Sequence, residues 1–78
     1  MRDENTTKRA EALNDLGRAS DALAVVSAGL AVDPHDVDLL VQGAVALVQL
    51  DRDGKAVRYV AAAAAVDPDS DVVQKVLR

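Results

Sequence analysis

A shift of 34 residues lays positions 10–34 over 44–68, and twelve of those twenty-five positions then carry the same residue. The matches include Ala10/Ala44, Leu13/Leu47, Leu16/Leu50, Arg18/Arg52, Ala22/Ala56 and Val26/Val60. They end in an unbroken Ala31-Val32-Asp33-Pro34 against Ala65-Val66-Asp67-Pro68. No other feature narrows the fold as far. Each copy must be one supersecondary unit that cannot bury its apolar face alone and has to stack on its neighbour.

The punctuation inside each copy predicts two helices. Asp33-Pro34 and Asp67-Pro68 end one helix, because a residue before proline is pushed out of helical dihedrals. Asp36 and Ser70 are then placed to cap the next. A second break falls at 16–20 and at 50–54, where Gly17, Ser20, Asp51, Asp53 and Gly54 suit a tight helix–helix turn. Leu13, Leu16, Leu23, Val26 and Leu30 follow helical spacing, not strand alternation. The expected helices run over 4–16, 20–32, 37–50, 54–66 and 70–78. With 78 residues there is room for one small domain.

The apolar half of the chain is almost all Ala, Val and Leu, without Phe, Trp, Ile or Cys. Such a core is thin and close-packed, since alanine brings little area and no large ring fills a gap. No cysteine means no disulfide framework and no thiolate metal site, and one histidine excludes a multi-His zinc site. A net charge of −4 argues against nucleic acid or an anionic membrane as partner. The longest apolar run, 39–50, is far shorter than the roughly 20 residues that span a bilayer. The polar start, Arg2-Asp3-Glu4-Asn5, is not that of a secretory signal. The expected location is the cytoplasm.

A 34-residue helix–turn–helix period ending in Asp-Pro resembles the tetratricopeptide repeat. With Pro34 and Pro68 at the family's terminal proline, its small residues fall on Ala10 and Ala44, on Ala22 and Ala56, and on Gly29 and Ala63. Its larger apolar position in the second helix falls on Val26 and Val60. The sequence departs from the pattern where the first helix usually carries an aromatic (here Thr6 and Leu40), a leucine (Arg9 and Gly43) and a tyrosine (Leu13 and Leu47). The resemblance implies an all-α fold of antiparallel helix–turn–helix repeats, stacked as a short right-handed α-solenoid. It divides a single domain, 1–78, into a first repeat over about 3–36, a second over about 37–70 and a partial or capping helix at 70–78.

In that family the first helices of successive repeats line a concave groove for peptides or partner helices. By position the groove would hold Thr7, Glu11, Asn14 and Asp15 from one repeat and Val41, Val45, Val48 and Gln49 from the next. Leu40, Ala44 and Leu47 form one stripe of the third helix, and Val41, Val45 and Val48 an adjacent one. A helix apolar on both stripes must be covered on both sides, by its neighbours in the stack or by another molecule. The groove lacks the basic clamp with which some family members hold a C-terminal carboxylate, because Thr7 and Glu11 stand there. An apolar or basic protein or peptide is the expected ligand.

No catalytic or cofactor chemistry is expected. Asp67, Asp69 and Asp71 have the 1, 3, 5 spacing of a calcium loop, but Val72 replaces its glycine and Arg78 its bidentate glutamate. Asp51 and Asp53 with Gly54 fail the same test and are expected to cap the fourth helix. His35 reads as a solvated loop residue, and Tyr59, the one aromatic, as partial packing. No phosphate-binding or metalloprotease motif is present. Two repeats fall below the usual minimum of about three, and Val72, Val73, Val76 and Leu77 make the last segment strongly apolar. The chain is therefore expected to act as a scaffold or adaptor, as part of a longer protein or as a self-associating one. The alternative is a structural segment that joins or caps copies of a larger assembly.

Overall fold

Turn chemistry sets the helix boundaries. In a computed structural model of the chain, residues 4–68 are described. They form four helices and no strand: α1 Glu4–Asp15, α2 Ala19–Val32, α3 Val37–Gln49 and α4 Asp53–Val66. Every end lies within one residue of its expected position. The expected fifth helix at 70–78 and its Ser70 cap lie outside the described residues.

Each α1–α2 and α3–α4 turn closes the same way. The Gly17 amide donates to the Asn14 carbonyl at 3.0 Å and that of Arg18 to Leu13 at 2.8 Å. One repeat later, Asp51 donates to Val48 at 3.0 Å and Arg52 to Leu47 at 2.8 Å. This paired bonding around a left-handed residue satisfies the last carbonyls of a helix. Gly17 takes φ 75° at no steric cost, whereas its counterpart Asp51 is held at φ 59°. Asp51→Gly is expected to raise stability by a few tenths to about 1 kcal/mol, and Gly17→Ala to lower it by about 1 kcal/mol. Thermal unfolding followed by circular dichroism reads both.

The helix starts differ. Asp36 caps α3 as expected, its Oδ1 accepting from the Leu39 amide at 3.2 Å. The expected capping of α4 by Asp51 or Asp53 is not found. The position before α4 is Arg52, without a side-chain cap bond, and Asp53 already lies in the first turn. There its charge meets the positive end of the helix dipole instead.

Helix α3 is the centre of the packing. It lies against α1, α2 and α4, and α1 also packs on α2. It buries Leu39, Leu40, Val41, Gly43, Ala44, Ala46 and Leu47, while α2 buries only Ala19, Ala22 and Val26, and α4 only Ala56 and Ala63. Alanines occupy the crossings: Ala19 and Ala22 meet Ala46 between α2 and α3, and Ala44 meets Ala56 between α3 and α4. Small residues let helix axes approach closely, which explains the alanine-rich composition.

Gly43 has a specific steric reason. A Cβ there would lie 2.6 Å from Cδ2 and Cε2 of Tyr59 and 3.0 Å from Cγ1 of Val26. The half-buried Tyr59 ring thus packs where a side chain at position 43 would otherwise stand, touching three of the core clusters. Tyr59 is packing, as expected. In the first unit the positions equivalent to Leu40 and Tyr59 hold Thr6 and Val25. Among the described residues a half-open recess of about 350 Å³ remains there, lined by Thr6, Arg9, Val25 and Gly29.

Candidate functional site

The eight residues expected to line one groove occupy three environments. Asn14 and Val41 are buried. Val41 belongs to the core with Leu40 and Ala63, between α3 and α4. Thr7 is half-buried on α1, and Glu11 and Asp15 are exposed on that helix. Val45, Val48 and Gln49 line an open groove between α3 and α4, with Val45 half-buried and Val48 56% exposed. The valine stripe of α3 therefore grades from core at Val41 to surface at Val48.

Asn14 ties α1 to α3. Its Nδ2 donates to the Gln42 carbonyl and to Gln42 Oε1, both at 3.0 Å, and Gln49 Nε2 donates to the Asn14 carbonyl at 3.1 Å. Gln42 and Gln49 stand seven residues apart, so both fall on the side of α3 that faces α1. A backbone carbonyl only accepts, and this fixes which end of the Asn14 amide points at it. Asn14→Ala is expected to cost about 1–3 kcal/mol, because it takes a buried donor from the seam between two helices. Gln49→Ala, at an exposed position, should change stability by less than about 0.5 kcal/mol. Urea titration separates the two.

The α3–α4 groove has a volume of about 480 Å³. Ala44 and Ala56, both buried, form its floor, and Val45, Val48, Val57 and Val60 its walls. Gln49 and Asp53 supply its polar atoms at one end. Val57 is 66% exposed. The α4 wall was missed from the sequence, although Val57 and Val60 stand three apart on one face of a helix. Nothing in the repeat pattern marks that face as open.

The groove carries shape and apolar surface, not reactive groups. His35 lies elsewhere, exposed in the α2–α3 turn, with its backbone amide donating to Asp33 Oδ1 at 3.2 Å. Among the described residues no three His, Cys, Asp or Glu side chains stand close enough to hold a metal ion. No described helix is long and apolar enough to cross a membrane. Comparison with family models, curated proteins and solved structures finds no match to this chain.

Proposed function

We propose that this chain is a non-catalytic protein-interaction module, a scaffold or adaptor that seats a partner helix or peptide. In this reading its helix pairs are tetratricopeptide-like units, stacked antiparallel into a short right-handed α-solenoid within one domain. The observation that carries it is the aliphatic groove between α3 and α4, with Val48 and Val57 more than half exposed on its walls. Contiguous apolar surface on a folded domain marks an interaction site, and a groove between two helices suits an amphipathic helix. Asp53 at the groove's end favours a basic residue flanking the partner's apolar stripe. The resemblance to the repeat family agrees with a cytoplasmic setting.

A second reading, joining of copies into a larger assembly, draws on the aliphatic residues exposed outside the groove. Leu16 and Val32 are 72% and 63% exposed at helix ends. The two readings separate in one set of measurements. Helical peptides selected from a displayed library should bind the full chain one-to-one and lose binding at least tenfold on Val48→Lys, with helicity unchanged. A chain that yields no peptides sensitive to this substitution, or only sediments as concentration-dependent oligomers, does not work as a peptide-seating module.

A further inference from the structure

The two units differ where bulk is missing from the first. Moved forward by 34 positions, Thr6, Val25 and Gly29 become Leu40, Tyr59 and Ala63. In the second unit these three pack together, and the Tyr59 ring lies in the crevice between α3 and α4, against Gly43. The crevice between α1 and α2 has the smaller residue at all three positions and stays half-open, at about 350 Å³. An enclosed apolar cavity of about 150 Å³ is already enough for benzene. The walls are fixed. Ala10 is fully buried where α1 meets α2 and sets the spacing of the two helices. On the floor, a Cβ at Gly29 would stand 2.5 Å from Leu39 Cδ1 and 3.0 Å from Thr6 Cγ2.

The lining shows what this recess takes. Val25, Ala28, Val32 and Leu39 make it aliphatic, and Arg9 and Asp33 bring charges of opposite sign. Arg9 neighbours Ala10, which packs beside Val25, and Asp33 follows Val25 by eight residues, about 12 Å along the helix axis. A ring seated between them gains aliphatic contact and the attraction of the Arg9 guanidinium for its π-face. A hydroxyl on that ring donates to the Asp33 carboxylate, which accepts from the His35 amide and has further lone pairs. A tyrosine side chain uses all three interactions, whereas an aliphatic one of the same size uses only the first.

The ring has to come from another protein. Tyr59 is this chain's single aromatic residue, and its ring is packed on three core clusters. Neither this chain nor a second copy can lend it without opening its own core. We propose that the α1–α2 recess is an anchor pocket for a tyrosine side chain of a protein partner. Tyrosines buried in pockets carry much of the binding energy at interfaces. The recess shares no lining residue with the α3–α4 groove and is independent of it.

The probe is p-cresol, the tyrosine side chain alone, titrated into the full chain and followed by methyl NMR. Saturable shifts of the Val25, Val32 and Leu39 methyls are expected, with NOEs from the cresol ring. 4-Methylcyclohexanol, which keeps the hydroxyl and lacks the π-face, should bind about threefold more weakly or worse, and Arg9→Ala should erase that preference. Ala28→Leu, at an exposed helix position, puts a larger side chain into the recess and should abolish the shifts with helicity unchanged. Val48→Lys, in the other groove, should leave them as they are. Peptides selected from a displayed library on the Val48→Lys chain should carry tyrosine and lose affinity at least tenfold on Ala28→Leu. Shifts that do not saturate, that survive Ala28→Leu or that 4-methylcyclohexanol reproduces at equal affinity overturn the proposal, as do selected peptides without tyrosine. Sensitivity to Val48→Lys reads the α3–α4 groove and sensitivity to Ala28→Leu the recess, so either site fails without the other.

Discussion

Leu47→Ala is expected to lower folding stability by about 2–5 kcal/mol, the range for truncating a fully buried leucine. Leu47 is 1% exposed and stands with Ala44 and Ala56 where α3 crosses α4, with Leu23 of α2 and Tyr59 packed around it. Its neighbours are largely alanines, which have no rotamers with which to collapse into the space left behind. The cost should therefore fall toward the upper end of the range. A chain of 78 residues has a total stability of only about 4–12 kcal/mol, so the variant should lose a large share of it and melt well below the parent chain. Adjacent Val48 is the control. At 56% exposure its change to alanine should shift the urea midpoint by no more than about 0.5 kcal/mol equivalent. Equal effects at the two positions would show that α3 does not sit in the chain as described.

Gly43→Ala is the second large effect, and its sign is the informative part. In an exposed helix this change stabilises by about 1 kcal/mol through propensity alone. At Gly43 the added methyl would meet the Tyr59 ring at 2.6 Å, and the ring is rigid and held by three clusters. Overpacking of that kind costs about 1–3 kcal/mol, so the net effect is expected to be destabilising. Tyr59→Val places at this site the residue that the first repeat carries at the equivalent position, Val25. In that background Gly43→Ala should become neutral or stabilising. The coupling between the two sites, read from a double-mutant cycle in urea, measures the exchange of volume directly. Additive effects would mean that ring and glycine are independent.

That exchange marks a boundary of what a one-dimensional reading can reach. Gly43 and Tyr59 each depart from simple expectation, a glycine mid-helix and a lone aromatic, and neither explains itself. They stand sixteen residues apart on different helices, so their relation exists only after α3 and α4 are packed. Asn14 is a similar case. On sequence it is a polar residue expected to line the concave groove, and in the fold it is buried with its amide bonded to Gln42. The sites that were legible are local. Asp36 caps α3 because a carboxylate three residues before an amide reaches it along the chain, and Asp33-Pro34 ends α2 because the proline ring acts on the residue beside it.

The candidate groove was half legible. Val45, Val48 and Gln49 follow from helical spacing on α3, but their association with Val57 and Val60, not with Thr7 and Glu11, depends on how α4 crosses α3. What the sequence by itself determined is the number, length and boundaries of the described helices, together with the duplication that makes α1–α2 and α3–α4 equivalent. These rest on capping, proline geometry and periodicity, all of which act over a few residues. The tertiary structure decided which stripe of α3 is core and which is surface. Both stripes are aliphatic, so hydrophobicity does not rank them. Their burial is set by the neighbouring helices, whose approach depends on where alanine and glycine let backbones come together.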